Sequence, residues 1–503
     1  MFSSILNFFI SIISTVNNFL WGDLVTIQLP GGSSLGLPLL VLILIPAGIY
    51  FSVRTRFLPF RMFPEMLRVT VEKRTNQRDG AISGIQALIV STATRVGMGN
   101  LVGVVAAISA GGAGAVFWMW VTALIGSSTA FIEATLAQLY KEKDPLYGGF
   151  RGGPAYFMKR IRLITQVRKE DRFTEIYGNQ ADYTGRSQQT GESNNNSGSY
   201  RHAGSFSLIA VLFAISGLIC WCGISQVISN SVTSSMYNAF KIPPFYSTIV
   251  LVILAAIIVL RKNATVKVLD IIVPIMAIGY FGMTIFIILK NIGQMPAVFG
   301  RIFGEALGFR QVAAGGFGAV LMNGVKRGLF SNEAGSGSAP CAAAASDVSH
   351  PAKAGLIQAF GVFIDTIVIC SCSAMIMLLA PQNVIEGLSG MDLLQAAMEY
   401  HLGNFGVIFI AITLFLFSFS TFIGILFYAR SNVAFLFGDK WLPQTIYKII
   451  ALIMLFIGGL AAYSFVWDLG DVGIGLMTIF NMMAILPLSG QAVECLKDYE
   501  GKE

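Results

Sequence analysis

Charged side chains are scarce. They make up 12% of the 503 residues, against about 25% in an average soluble chain, which argues against a single large water-soluble core. Histidine is scarcer still, with only His202, His350 and His401. No H-E-x-x-H, G-x-S-x-G or P-loop lysine motif occurs, so the common hydrolase and nucleotide-binding chemistries have no candidate residues. The six cysteines (Cys220, Cys222, Cys341, Cys370, Cys372 and Cys495) fall mostly in apolar stretches and form no metal-ligand quartet with histidine, which suits small apolar packing residues. The first 20 residues contain no Lys or Arg, so the positive region of a cleaved signal peptide is missing. Their apolar residues recur at helical spacing, which predicts a short helix lying on the membrane surface. The net charge of +7 does not point to nucleic acid, because the basic residues sit in short loops between apolar stretches, where membrane orientation places them.

Hydrophobic residues are abundant instead, at 54%. Apolar runs of about 20 residues recur along the chain, each able to cross roughly 30 Å of hydrocarbon as a helix. The dyad alternation of a membrane β-barrel is missing. The expected fold is an all-α polytopic membrane protein with about eleven spans, near 37–53, 82–110, 114–140, 204–238, 246–261, 267–290, 311–335, 354–380, 403–437, 442–462 and 472–493. With the N-terminus outside, the C-terminus in the cytoplasm and charges near span ends assigned to the nearer face, Lys and Arg divide 29 inside to 4 outside, and only Arg95 is left to a span. This asymmetry predicts N-out, C-in insertion in a bacterial inner membrane. The polar stretch 162–203, with Asn194-Asn195-Asn196-Ser197-Gly198, predicts a mobile cytoplasmic insertion within the loop 141–203.

If span 37–53 is set aside as an extra N-terminal helix, ten spans remain, divided five and five between 82–290 and 311–493. Residues 1–36 then form an extracytoplasmic interfacial segment and 494–503 a cytoplasmic tail. The first span of each five carries a glycine cluster, Gly97-Met98-Gly99 and Gly315-Gly316-Phe317-Gly318, and the two spans run in opposite directions. This pattern predicts an inverted repeat whose broken helices meet at a midplane site. Tight helix packing is the alternative use for such glycines. An unwound stretch persists in lipid only where it lines a cavity or binds something. Its free N–H groups suit a carboxylate and its free carbonyls suit a cation or an ammonium group, so the two poles of a small zwitterion fit one break. Saturable carriage of a small amino acid suits this arrangement better than a continuous pore. No segment supplies the output module of a receptor.

The stretch Ser91-Thr92-Ala93-Thr94-Arg95-Val96-Gly97-Met98-Gly99-Asn100-Leu101-Val102-Gly103-Val104 resembles the alanine or glycine:cation symporter family, and so does Gly111-Gly112-Ala113-Gly114-Ala115-Val116-Phe117-Trp118-Met119-Trp120. Arg327-Gly328-Leu329-Phe330-Ser331-Asn332-Glu333-Ala334-Gly335-Ser336-Gly337-Ser338-Ala339-Pro340 is similar to that family's most specific signature. Gly361-Val362-Phe363-Ile364-Asp365-Thr366 and Phe417-Ser418-Phe419-Ser420-Thr421 match as well. The resemblance implies the ten-helix inverted repeat of neurotransmitter:sodium symporters plus one added first helix, no enzymatic activity and no cofactor. It implies that backbone groups at Gly97, Met98 and Gly99 hold a substrate carboxylate, faced by Ala314 and Gly315. Asn100 then sits near a first sodium position. Carbonyls at Ala93 and Val96, with the hydroxyls of Ser420 and Thr421, form a second. Oxygen ligands suit a hard cation such as Na⁺, although such hydroxyls also commonly bond the carbonyl one turn back.

Three residues depart from the family pattern. Arg95 stands where a small residue is usual, and a charge at bilayer depth costs roughly 2.5–3.5 kcal/mol or more. Either it packs structurally against an acid, with Glu133, Glu333 and Asp365 as candidates, or its guanidinium replaces a coupling cation. In the second case the carrier is a sodium-independent exchanger or is coupled to H⁺. Met98 replaces a frequent Thr, and Ser229 a frequent Gln. Trp221 and Gln226 are further candidates for the pocket wall.

Overall fold

The computed structural model describes residues 2–28, 34–72, 82–159, 207–261, 265–308, 316–461 and 463–502. The chain opens with helix α1 (Phe2–Trp21), then an antiparallel hairpin of β1 (Asp23–Gln28) and β2 (Ser34–Pro38). Helix α2 (Leu39–Arg54) buries Leu40, Val41, Leu44, Ala47, Gly48 and Phe51 on one face, the spacing of an amphipathic helix. Short helices α3 (Leu58–Arg61) and α4 (Phe63–Val71) follow.

Ser83 begins the next helix, α5 (Gly84–Thr94). Its side chain accepts from the Gln86 N–H while the Gln86 side chain accepts from the Ser83 N–H, a reciprocal cap that satisfies two orphan donors. The winding then widens into a π-helical segment, Arg95–Gly103, and returns to α6 (Val104–Gly111). Gly112 adopts φ 71° and turns the chain into α7 (Gly114–Leu139).

Residues 141–159, expected as part of a mobile loop, fold instead. They form the hairpin β3 (Glu142–Lys143) and β4 (Phe150–Arg151) and the buried helix α8 (Pro154–Met158). The apolar Tyr156, Phe157 and Met158 pull this segment against the bundle. The polar stretch 162–203 lies outside the described residues.

The remaining helices are α9 (Leu208–Phe240), α10 (Pro244–Val259), α11 (Thr265–Lys290), α12 (Met295–Ala306), α13 (Gly316–Asn332), α14 (Pro340–Ala345) and α15 (Pro351–Val362). A second π segment, Phe363–Cys370, links α15 to α16 (Ser371–Leu378). Then come α17 (Gln382–Ile385), α18 (Gly390–Leu402), α19 (Asn404–Phe437), α20 (Trp441–Leu460) and α21 (Tyr463–Lys502). A helix overlaps the described part of each apolar stretch. Among the described residues, eight helical runs are long and apolar enough to cross a membrane, and α2 and α10 are shorter apolar helices. Their outward faces carry exposed Ile, Leu and Phe, as on α10 (Phe245, Ile253, Ile257) and α20 (Leu442, Ile446, Ile453). Such continuous apolar surface is stable against lipid, not water. The protein is a multi-pass membrane protein.

At the centre α13 lies against α7. A Cβ on Gly324 or Gly328 would strike Trp118, Ala115 or Thr122, so the absent side chains set how closely these two helices approach.

Candidate functional site

The first π segment corrects the expectation of an unwound break at Gly97-Met98-Gly99. The backbone there stays helical, with the wider turn that marks functional positions in helices. The cause is lateral. The Met98 N–H donates to Thr421 Oγ1 of α19 at 3.2 Å, and a Cβ on Gly97 would collide with that same oxygen. A hydroxyl from a neighbouring helix has entered the hydrogen-bond ladder, and the glycine gives it room. The Met98 N–H, expected to hold a carboxylate, is therefore engaged by the protein. Gly99 faces the other way: a Cβ there would stand 3.6 Å from Phe330 O.

Ser420 and Thr421 both donate back to the Phe417 carbonyl, at 2.9 and 2.8 Å. The ordinary helix use of these hydroxyls is thus present, together with the bridge to Met98. Ala93 and Val96 are wound into the helical backbone of this same stretch. Ala314 and Gly315 lie outside the described residues, so their expected place opposite the first glycine cluster is not described. Gly316 follows at φ 77°, with no atom of the described residues within 4 Å of where a Cβ would stand, and starts α13.

The described break in this part of the chain lies elsewhere. Between α13 and α14, residues 333–339 leave helical geometry while staying buried: Ala334, Ser336, Ser338 and Ala339 are almost inaccessible. Glu333, Gly335 and Gly337 have φ of 56°, 91° and 84°. Non-helical backbone at this depth needs partners, and it has them. Glu133 Oε1 accepts from the Gly335 N–H (3.2 Å) and Asn481 Nδ2 donates to the Gly335 carbonyl (3.0 Å), while Asn481 also donates to Glu133 Oε2 (2.8 Å). Glu133 thus serves the backbone of the crossing.

The two π segments meet at Asn100. Its amide donates to Asp365 Oδ1 (2.7 Å) and to the Asp365 carbonyl (3.0 Å). Ser331 and Thr366 hydroxyls donate to Asp365 Oδ2 at 2.8 and 2.7 Å. Asn100 is therefore tied to an acid, and its Oδ1 has no hydrogen-bond partner among the described residues.

Arg95 is 1% exposed. Its Nη1 donates to the Gln358 carbonyl at 3.3 Å, and Nε and Nη2 have no hydrogen-bond partner among the described residues. No ion pair joins it to Glu133, Glu333 or Asp365 among those residues, although its charge acts on all three. The expectation of a direct acidic partner is corrected: each acid is committed to other groups or stands beyond ion-pair distance. Trp221 is buried and tilted against Tyr428, ring centroids 6.1 Å apart. Gln226 turns away, with Nε2 3.3 Å from Met454 Sδ on α20, and Ser229 faces the same helix at Gly459. Neither belongs to the wall around Gly97, because α20 packs on their side of α9.

Two charged layers flank this centre. In one, Asp471 takes Arg327 in two bonds (3.0 and 3.1 Å) and Lys326 in a third contact (2.7 Å). Arg327 lies 4.0 Å over the Trp467 ring, Trp21 Nε1 donates to the Asp471 carbonyl (3.2 Å), and Asn17 donates to Asp468 (2.8 Å). Lys326 and Arg327, counted with the cytoplasmic charges above, pair with segments assigned to the opposite face. The overall asymmetry survives their transfer. In the other layer, Arg151 pairs with Asp439, and Arg430 lies 3.8 Å over Phe427 and 5.0 Å over Tyr147. Burial pushes the Tyr147 phenol up, so it meets Arg430 as a neutral ring. Adjacent Lys326 and Arg327 inside an apolar span were the sequence signal for the first layer; an intramembrane basic pair demands a partner. Asn481 gives no signal, being a single polar residue in an apolar run, and Ser331 lies in the 327–340 signature without being singled out.

A buried polar centre, crossed by π-helical and non-helical backbone within an apolar helical bundle that also buries two charged clusters, suits a membrane transporter. Its lineage follows from comparison. Residues 8–167 and 187–503 match the model of the sodium:alanine symporter family, and the chain belongs to that family. The probable sodium/glutamine symporter GlnT of Bacillus subtilis is 41% identical over 92% of this chain and 87% of its own length. The amino-acid carrier protein AlsT of the same organism is 38% identical over 98% and 92%. The sodium/alanine symporter AgcS of Methanococcus maripaludis is 32% identical over 98% and 97%. Among solved structures, a manganese transporter of Eremococcus coleocola covers 84% of this chain and 81% of its own at 12% identity, with a TM-score of 0.48; that likeness is too remote to carry weight. The chain is a cation-coupled amino-acid transporter and not an enzyme.

Proposed function

We propose that this protein carries small neutral amino acids, alanine and glycine foremost, together with Na⁺ by alternating access. The observation that carries the reading is the bridge from the Met98 N–H to Thr421, which joins the widened helix to a pair of adjacent hydroxyls in an apolar span. In this reading carbonyls at Ala93 and Val96 and the hydroxyls of Ser420 and Thr421 hold Na⁺, with Asn100 beside a further cation position. The substrate lies against Gly97 and Gly99, faced by Ala314 and Gly315 and walled by Trp221. The oxygen-only donor set fits a hard cation. The names of the Methanococcus and Bacillus relatives support sodium coupling and a neutral substrate. The architecture that goes with it has eleven spans: α2 as an extra helix, then two opposed five-helix units over 82–290 and 311–493, with the N-terminus outside.

Uptake of labelled alanine, glycine and glutamine into proteoliposomes, with and without an inward Na⁺ gradient, tests the reading. Gradient-stimulated uptake that saturates and shows counterflow supports it. Flux that neither saturates nor exchanges overturns it. A second reading rests on Arg95, whose Nε and Nη2 are buried and without hydrogen-bond partners among the described residues. A fixed charge there replaces a cation, giving a sodium-independent exchanger or a proton-coupled carrier. Uptake indifferent to Na⁺ in the wild type, and dependent on it in Arg95→Ala, favours that reading.

A further inference from the structure

The interior holds more negative charge than its one central arginine balances. Glu133, Glu333 and Asp365 are each at least 95% buried around Arg95. Two of the three carboxylates are solvated by the protein. Asp365 accepts from Asn100, Ser331 and Thr366, and Glu133 accepts from the Gly335 N–H and Asn481. Glu333 is different. Its Oε2 is buried with no hydrogen-bond partner among the described residues, and only the Tyr428 hydroxyl sits against its carboxyl. It also adopts φ 56°, the left-handed backbone that a non-glycine side chain occupies only where its surroundings hold it there. An ionised oxygen without a donor is among the costliest groups to bury, and the neutral acid removes most of that cost. A metal cation fits worse, because it needs several oxygen ligands and Arg95 repels it.

We propose that Glu333 is the proton-carrying group of this transporter: its carboxylate takes a proton from water on one open side, holds it as the neutral acid while both charge layers are closed, and returns it to water on the other side. The proposal rests on the carrier reading above. The titratable and charged groups facing Glu333 are Arg95 from the first π segment, Glu133 from α7, Asp365 from the second π segment, Tyr428 from α19, Cys341 from α14 and Cys220 from α9. Arg95 is the one cation in this set, and Glu133 and Asp365 are its other acids. An incoming substrate or cation changes that balance, which is how loading and protonation become linked.

The test uses the full chain in lipid. Infrared difference spectra between acid and alkaline buffers, in H₂O and D₂O, should show a protonated-carboxyl band that Glu333→Gln removes and Glu333→Asp restores at a shifted position. Spectra of Glu333→Gln that match the wild type in this region overturn the assignment. In proteoliposomes, an acid-outside gradient should stimulate alanine uptake by the wild type. Glu333→Gln should lose that stimulation, and whatever counterflow it retains should not respond to pH. Equal stimulation in both proteins, or none in the wild type, overturns the coupling role. Absence of counterflow in the wild type for any neutral amino acid would instead remove the carrier reading, while the infrared arm still reports whether Glu333 holds a proton.

Discussion

Gly97 and Thr421 occupy one space between them. A methyl group at Gly97 would overlap Thr421 Oγ1, and such overpacking in a filled core costs about 1–3 kcal/mol. Thr421→Ala removes the obstruction but leaves the Met98 N–H unpaired, at about 1–3 kcal/mol for a lost partner of a buried donor. Thermal unfolding in detergent should therefore show both single variants destabilised. The Gly97→Ala, Thr421→Ala double variant should be clearly less destabilised than the sum, since the two residues share a contact. Strict additivity would mean that the two do not meet. Sodium dependence of uptake should fall in all three, because the same hydroxyl serves the proposed ion site. At this scale the sequence was informative about identity more than direction. Thr421, Asn100 and Asp365 were all picked out, yet their partners were not, because hydrogen-bond donors chosen across helices leave no periodic trace. Gln226 was misjudged because five residues beyond Trp221 on a helix is a different face.

At the scale of elements, the crossing at 333–339 and the start of α13 make a contrasting pair. Gly335 (φ 91°) is packed, and a Cβ there would enter the Met482 methyl group; at Gly316 (φ 77°) a Cβ would meet none of the described residues within 4 Å. Gly316→Ala should cost only the left-handed backbone term, about 1–2 kcal/mol, and leave uptake near the wild-type level. Gly335→Ala adds the collision and displaces the peptide held by Glu133 and Asn481, so uptake should be lost even where the variant still elutes as a monodisperse protein. Wild-type uptake by Gly335→Ala would show that the crossing has no part in transport. The long helices are legible, because each is an apolar run between polar breaks, whereas the short α12 and α18 fall between the expected spans. The glycine clusters predict breaks at Gly97-Met98-Gly99 and at 315–318, and the stretch leading into the second lies outside the described residues. The structure puts non-helical backbone at Glu333-Ala334-Gly335-Ser336-Gly337-Ser338-Ala339, whose Glu and serines invite a reading as a loop at the membrane edge. What keeps it inside is the set of partners from α7 and α21, which local composition does not reveal.

Across the whole molecule, charged groups gather in two clusters, one around Asp471 and one around Arg151 and Arg430. Asp471 balances two cations at 1% exposure, and removing one partner of a buried pair costs about 3–5 kcal/mol. Asp471→Asn should open the layer it holds. In a Met98→Cys background, a membrane-impermeant thiol reagent applied to whole cells should label that position faster in Asp471→Asn than with Asp471 intact. Met98 is buried and so are the six native cysteines, so background labelling should be low. Equal labelling rates would show that Asp471 does not gate access from that side.

The two π segments that touch at Asn100 and Asp365 carry a mechanical consequence. A π turn contains one more residue than the α turn it replaces, so each segment is a stored length of helix. One residue corresponds to about 100° of rotation in an α-helix. If the surplus turn migrates past Gly103, Val104–Gly111 rotates like a screw while its backbone stays hydrogen-bonded throughout. In a medium that cannot solvate a bare peptide group, that is a way to turn half of a membrane-spanning rod without ever unzipping it.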